Sequence, residues 1–267
     1  MLLVFVDETA DVKFKNYLGF SIALANAFYY PKLKSEAQRI LRGIGWDPNV
    51  EFKGSYLFSA SKGCTDVEIE RRVSAAGKLL DLNVARENTR MKFHFGDMRS
   101  ENPKVDYLTQ LPGLLWKVLP PAPRSPGKNL IAVICDERDD ISDDELNDAV
   151  LPVTAKRGYV MLERAHSTTS NFDTVGIMYA DLVGYLAGRI ETISNDVELI
   201  DGLTEEQMRI NGKLRKLQSS KELIGKIKRM NIYHHKEKPP RGSAPVGTTT
   251  ARQEKENAPD ILGAMPH

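Results

Sequence analysis

Residues 2–8 read Leu-Leu-Val-Phe-Val-Asp-Glu, five apolar side chains in a row followed by two acids, of which the first is Asp7. An apolar run without polar alternation is typical of a strand that is covered on both faces. Residues 129–135 form a second such run, which also ends in an acid, Asp136. Ligands of open α/β sheets gather at the carboxyl ends of strands, so Asp7 and Asp136 are expected to point at the same rim. Taken singly, each acid could instead be a turn residue or a helix cap, because Asp is common at both positions.

The segments around these two runs alternate between strand and helix patterns. Further strands are predicted over residues 18–25, 91–95 and 158–165. Helices are predicted over residues 31–43, 66–85, 105–119, 142–156 and 175–189. Pro31 suits the first turn of its helix, while Asp66 and either Ser142 or Asp143 are candidate caps. This alternation favours an α/β fold with a sheet flanked by helices.

The chain is predicted to form a single domain over residues 1–235, followed by a tail. Residues 236–267 are rich in Pro, Gly, Thr and charge, which is typical of disorder. Lys and Arg number 37 and Asp and Glu 36, so the net charge of +1 indicates no partner. Charge clusters locally in residues 209–241, which hold 11 Lys or Arg against two Glu. This basic C-terminal region is predicted to be helical.

The cysteines and the N-terminus indicate a cytoplasmic protein. Cys64 and Cys135 are the only two cysteines, so a disulfide framework and a Cys-x-x-Cys motif are both excluded. The chain starts without the basic segment and small-residue cleavage site of a signal peptide. No run approaches the roughly 20 apolar residues that span a bilayer, so no membrane partner is expected. No feature of the sequence indicates an oligomeric state.

Asp181 is the single charged residue in the apolar stretch 175–188. A helix that is apolar on nearly every side is buried. Gly and Ala recur at every fourth position, from Gly176 to Gly188, so one face of this helix can approach a neighbour closely. An unpaired buried carboxylate costs several kcal/mol, so Asp181 is expected to be protonated, bound to a metal, or paired with Arg164 or Arg189.

Glu51 and Lys53 stand together in Val-Glu-Phe-Lys-Gly-Ser, residues 50–55. Taken alone, Glu51 is typical of an exposed loop acid. Lys53 could contact a phosphate group or lie in solvent.

Four segments together resemble a widespread bacterial family, the domain of unknown function numbered 3800. They are Phe5-Val6-Asp7-Glu8-Thr9-Ala10-Asp11, Glu51-Phe52-Lys53-Gly54-Ser55, Ile134-Cys135-Asp136-Glu137 and Gly176-Ile177-Met178-Tyr179-Ala180-Asp181-Leu182-Val183. The resemblance spans about residues 1–190 and implies an RNase H-like mixed sheet and a metal-dependent nuclease. The chain departs from the family pattern where Thr9-Ala10 replace Ser-Gly and Met178-Tyr179 replace Gln-Leu.

Carried over residue by residue, the resemblance implies that Asp7, Glu51, Asp136 and Asp181 bind metal and catalyse the reaction. Carboxylates are hard oxygen ligands that suit Mg²⁺ or Mn²⁺. Two such ions about 3.5–4 Å apart could activate a water molecule and stabilise the leaving oxygen of a phosphodiester. The implied partner is nucleic acid, either RNA or DNA.

Three further residues, Lys53, Arg164 and His166, are candidates for phosphate contact or proton transfer. His166 could equally be a structural histidine whose hydrogen bonds are satisfied.

Other enzyme classes lack their motifs in this chain. It has neither G-x-G-x-x-G nor a Gly-Lys-Ser/Thr phosphate loop, and no Gly-x-Ser-x-Gly elbow. An aspartyl phosphatase would need Asp where Thr9 stands. Spacing alone also permits a different four-acid nuclease fold. The alternative from another class is an inactive RNase H-like module that binds nucleic acid or an acidic protein through residues 209–241, a region that could also be a solvated helix face.

Overall fold

A mixed β-sheet forms the centre of the computed structural model. The residues that the structure describes are 1–9, 17–58, 68–84, 91–100, 102–125, 127–188, 222–230 and 232–236. All of them belong to one compact unit, Met1–Glu237. The predicted single domain over residues 1–235 stays a prediction, and residues 237–267 of the predicted tail lie outside the described residues.

The sheet has both parallel and antiparallel strand pairs. Its strands are β1 (Leu2–Thr9), β2 (Tyr17–Asn26), β3 (Lys92–Arg99), β4 (Leu130–Asp136), β5 (Val160–Met161), β6 (His166–Thr168) and β7 (Tyr233–Lys236). Their order is β5-β4-β1-β2-β3-β7, with β6 also paired to β4. Pairs β1–β2 and β2–β3 are antiparallel, whereas β1–β4, β4–β5, β4–β6 and β3–β7 are parallel.

Helices cover both faces of this sheet. They are α1 (Tyr30–Gly43), α2 (Ile69–Val84), α3 (Pro103–Val118), α4 (Asp143–Lys156) and α5 (Val175–Gly188), with a short 3₁₀ helix at Gly54–Tyr56 and a helical stretch at residues 222–229. Buried residues of α1, α2 and α5 form one core with Phe5, and those of α3 and α4 form a second core with Val4. The predicted α/β class with a mixed sheet flanked by helices is confirmed.

The central strand β1 is buried on both faces, as its apolar run predicts. Side chains alternate along a strand, so Leu3 and Phe5 enter the core under α5, while Val4 and Val6 enter the core under α3 and α4. The same alternation places Asp7 on the face that α5 covers. This placement brings a carboxyl group under a nearly apolar helix.

Helix α5 lies very close to β1, as its small residues predict. A Cβ atom on Gly176 would stand 2.3 Å from the ring of Phe5, so only glycine fits there. The hydroxyl oxygen of Tyr30 accepts a hydrogen bond of 3.0 Å from the backbone N–H of Gly176. At the next turn, the Tyr179 hydroxyl donates to the carbonyl oxygen of Leu79 in α2 over 2.9 Å. These contacts fix α5 above the sheet.

Two strand predictions need correction. The segment 158–165 is not one strand: β5 ends at Met161 and β6 begins at His166. The chain leaves the sheet between them because the N–H of Ala165 donates to the side chain of Asn147 in α4 and not to β4. Strand β1 also continues past Asp7 to Thr9, because β2 keeps pairing with it after β4 has ended.

Part of the basic C-terminal region packs against the core. Leu223, Ile224 and Ile227 are buried, and Lys226 forms an ion pair with Asp81 of α2. Residues 209–221 and 237–241 lie outside the described residues. None of the helices in the described part of the chain combines the length and apolar character that a membrane-spanning helix needs.

Candidate functional site

Asp7 and Asp136 come together because their strands are parallel neighbours. Val6 pairs with Cys135, and the two acids follow in the same register. Both the charge of Asp136 and a side-chain hydrogen bond with it raise the pKa of Asp7, which indicates that the two carboxyl groups are neighbours. Asp7 is 4% exposed, and no donor from a described residue reaches its buried Oδ2. Asp7 is therefore a buried carboxyl with an oxygen that lacks a partner.

Asp181 reaches this pair from the helix above. The backbone N–H of Gly54 donates to its Oδ2 over 2.6 Å. Gly54 can come this close because it has no side chain: a Cβ atom there would stand 2.5 Å from the Cβ of Tyr185 in α5. The 3₁₀ helix that begins at Gly54 thus packs directly against α5 and orients the carboxyl of Asp181.

Glu51 and Lys53 lie just before this 3₁₀ helix and form an ion pair. The Lys53 Nζ is 3.0 Å from Glu51 Oε2, and their side chains are 35% and 18% exposed. Lys53 is also attracted electrostatically by Asp136 and Asp181. Glu51, Lys53, Asp136 and Asp181 are therefore close enough to influence one another. We call Asp7, Glu51, Asp136 and Asp181 the carboxylate cluster.

Burial and like charge raise the pKa values of three acids, Asp7, Glu51 and Asp181. Burial, followed by the charges of Asp181 and Asp136, raises the pKa of Asp7 well above its ordinary value. Burial raises the pKa of Asp181 to about 7, although the Gly54 N–H and the Lys53 charge oppose the shift. The pKa of Glu51 is raised by burial against the pull of Lys53. Burial lowers the pKa of Lys53, but Glu51, Asp136 and Asp181 together raise it above its ordinary value.

No arginine within the described part of the chain pairs with the carboxylate cluster. Arg164 is exposed and pairs with Asp144 of α4, so the alternative salt bridge between Arg164 and Asp181 is wrong. Arg189, the other candidate cation, lies outside the described residues. Acids that have raised pKa values and lie together without an arginine are common at functional sites.

The carboxylate cluster has the oxygen donors that suit a hard divalent cation, but its side chains are not yet in positions to bind one. Its four carboxyl groups are the oxygen ligands that Mg²⁺ and Mn²⁺ prefer, and Asp7 Oδ2 has no competing donor. However, no three Asp, Glu, His or Cys side chains among the described residues already stand in positions to hold a metal ion. Lys53 holds Glu51, and Gly54 holds Asp181. Metal binding would have to draw these side chains together.

The other two predicted contact residues do not join the cluster. Arg164 points to Asp144, as described above. His166 lies in β6 opposite Ile134, and its Nδ1 is 3.3 Å from the carbonyl oxygen of Arg164. No hydrogen bond or ion pair links His166 to the four acids. Lys53 alone of the three candidates lies beside the carboxylate cluster.

Sequence reasoning missed several groups at this rim. The Gly54 N–H belongs to the same Glu-Phe-Lys-Gly-Ser segment, but the sequence does not indicate which backbone N–H groups donate to a side chain. Thr168 lies opposite Asp136 in β6, a position that only the strand register reveals. On the other face, Arg138 pairs with Glu8 and Asp140 and stacks 5.0 Å above the ring of Tyr107.

A scan against models of protein families and a search of curated proteins both find no match to this chain.

The raised pKa values predict how stability depends on pH in the absence of metal. An acid whose pKa is higher in the folded state binds more protons there than in the unfolded chain. Asp181 shifts from 3.8 to about 7, so the free energy of unfolding should fall as pH rises through this interval and level off above it. We expect a loss of about 2–4 kcal/mol, measured by urea denaturation with a chelator between pH 4.5 and 8.

The matched variants for this experiment are Asp181→Asn and Asp148→Asn. Asp181→Asn should make the pH profile shallower, because it removes one of the acids whose pKa is raised. Asp148 is exposed on α4, so its replacement should leave the profile unchanged. A wild-type profile that is flat or rises over this interval would contradict the assignment.

Proposed function

We propose that the protein is an Mg²⁺- or Mn²⁺-dependent nuclease with an RNase H-like fold, which hydrolyses phosphodiester bonds of RNA or DNA. The single observation that carries the proposal is the meeting of Asp7, Asp136 and Asp181 from β1, β4 and α5 at one rim of the sheet, where Asp7 is buried and the other two acids are half-buried. A fold that only needed stability would replace these acids with apolar or paired side chains, because buried carboxylates of like charge destabilise it. The parallel pair β1–β4, with acids at its rim, supports the RNase H-like assignment.

The carboxylate cluster would hold the metal. Asp7 and Asp136 offer oxygens at the rim of the sheet, Asp181 adds one from the helix, and Glu51 would join only if it left Lys53. A bound divalent ion lowers the pKa of a water nucleophile and stabilises negative charge on the leaving oxygen. The Lys53 side chain is 35% exposed, and its ammonium group can attract a phosphate group of the substrate.

Metal titration calorimetry on the full-length chain tests this proposal. Wild type should give binding heat with Mn²⁺ and Mg²⁺, whereas Asp7→Asn and Asp181→Asn should lose most of it because each removes an anionic ligand. Asp148→Asn should bind like wild type. Equal binding by all four proteins, or binding by none, would remove the nuclease proposal.

If the four proteins bind metal equally or not at all, the alternative function is favoured. The protein would then be an inactive module that binds nucleic acid or an acidic protein through its basic C-terminal region. If metal does bind, cleavage of single-stranded, duplex and hybrid substrates with each metal follows. These substrates distinguish RNA from DNA and identify the strand that is cut.

A further inference from the structure

Lys53 is a cation already present among acids that could bind metal. Its ammonium nitrogen is 3.0 Å from Glu51 Oε2, and the negative charges of Asp136 and Asp181 also attract it. Three of the four acids of the carboxylate cluster therefore interact with one fixed positive charge. The fourth, Asp7, forms no ion pair with another described residue and keeps a buried oxygen without a donor.

This arrangement divides the carboxylate cluster into two parts. Glu51 is engaged by the lysine, while Asp7, Asp136 and Asp181 form a group with which no side-chain cation of the described residues forms an ion pair. Mg²⁺ in proteins commonly uses one or two carboxylates together with water and substrate phosphate. Three carboxylates are thus enough in number for one ion, although binding would have to draw them together, because no three such side chains among the described residues already stand in positions to hold a metal ion. A second divalent ion beside Glu51 would have to displace the ammonium or tolerate its repulsion.

We propose that Lys53 takes the place of a second metal ion, so that the site binds one divalent cation and uses the lysine as its other positive charge. This inference rests on the proposed function, since it assumes that the carboxylate cluster binds metal at all. It differs from the two-metal arrangement that the sequence resemblance implies. The lysine charge would pair with the phosphate group on the Glu51 side, and the metal would sit on the Asp7 side.

Binding stoichiometry measured with Mn²⁺ and no nucleic acid tests the inference. Titration calorimetry on the wild-type chain at neutral pH should give one ion per chain. Lys53→Met removes the charge and keeps most of the side-chain length, which frees Glu51. We expect this variant to bind a second ion, and to bind the first ion about tenfold more tightly, because the repelling charge is gone.

Two further variants separate charge from structure. Lys53→Arg keeps the positive charge and should keep the stoichiometry of one. Lys34→Met removes a lysine that pairs with Asp173 at the surface, away from the carboxylate cluster, and should behave as wild type. Circular dichroism melting of each variant checks that it is folded, and the wild-type stoichiometry tests the inference even if Lys53→Met does not fold.

The possible outcomes test the role of Lys53 separately from the proposed metal-dependent function. Two ions bound by wild type, or one ion bound with unchanged affinity by Lys53→Met, would overturn the role of Lys53 and leave the metal-dependent function intact. A wild-type chain that binds no Mn²⁺ would overturn the proposed function itself. One ion in wild type and two in Lys53→Met would support both.

Discussion

Asp7→Asn is expected to lower the rate of Mg²⁺- or Mn²⁺-dependent phosphodiester cleavage by about three orders of magnitude. The same change should raise the melting temperature of the metal-free protein by about 3–8 °C. Asp7 is 4% exposed, and burial together with the charges of Asp181 and Asp136 raises its pKa. The Asn amide carries no charge, and its N–H₂ group can donate to the neighbouring carboxylates. The variant therefore avoids the cost of burying or protonating a carboxyl group in the folded state, while it removes a proposed metal ligand.

The opposite signs of these two effects make the experiment informative. A residue that served only the fold would lose stability on replacement, and a surface acid would change neither quantity. Cleavage is measured with a labelled oligonucleotide, and stability by thermal melting with a chelator. Asp148→Asn is the surface control and should leave both values within error. A variant that is both active and stabilised would show that the acid is not a metal ligand.

A variant that gains stability and loses activity would agree with a general rule, namely that functional residues often lower the stability of the fold. Proteins keep strained or repelling groups where chemistry requires them and recover the loss elsewhere in the fold. Here the recovery comes from contacts around α5. The Gly54 N–H bonds to Asp181, and the Tyr179 hydroxyl bonds to the carbonyl oxygen of Leu79. Metal should add to this stability, so Mn²⁺ is expected to raise the melting temperature of wild type but not that of Asp7→Asn.

The acids of the sheet and of α5 could be predicted from sequence because strong patterns surround them. Asp7 and Asp136 follow apolar runs, and the parallel pairing of β1 and β4 places them side by side. Asp181 stands out in an apolar helix, and the lack of bulk at Gly176 predicts its close approach to the sheet. In each case the signal lies within about ten residues of the acid.

The remaining features depend on contacts between distant segments. The hydrogen bond from Gly54 to Asp181 joins residues 127 positions apart, and no local pattern indicates it. Arg164 is one of two arginines that could pair with Asp181 by sequence, but its partner is Asp144 of the neighbouring helix α4. Strand β1 runs past Asp7 because β2 continues to pair with it, a property of the partner strand and not of residues 2–8. Such features follow from tertiary packing, which overrides local patterns.

Gly176→Ala is expected to lower the free energy of unfolding by about 2–4 kcal/mol, although alanine is the better helix former. The new Cβ would stand 2.3–2.4 Å from three ring carbons of Phe5, far inside van der Waals contact. The ring is buried within the core and cannot move aside cheaply, so α5 must shift away from β1. Because Asp181 lies on the same helix, we also expect weaker metal binding. Urea denaturation measures the first effect and calorimetry the second.

Gly113→Ala is the matched control for this prediction. Gly113 lies inside α3, and an added Cβ there would meet nothing within 4 Å. Its replacement should stabilise the protein by up to about 1 kcal/mol through helix propensity alone. The double variant Phe5→Leu, Gly176→Ala should recover part of the loss, because a smaller side chain leaves room for the methyl group. If Gly176→Ala were instead as stable as Gly113→Ala, α5 would not rest on Phe5, and the position of Asp181 above the sheet would be wrong with it.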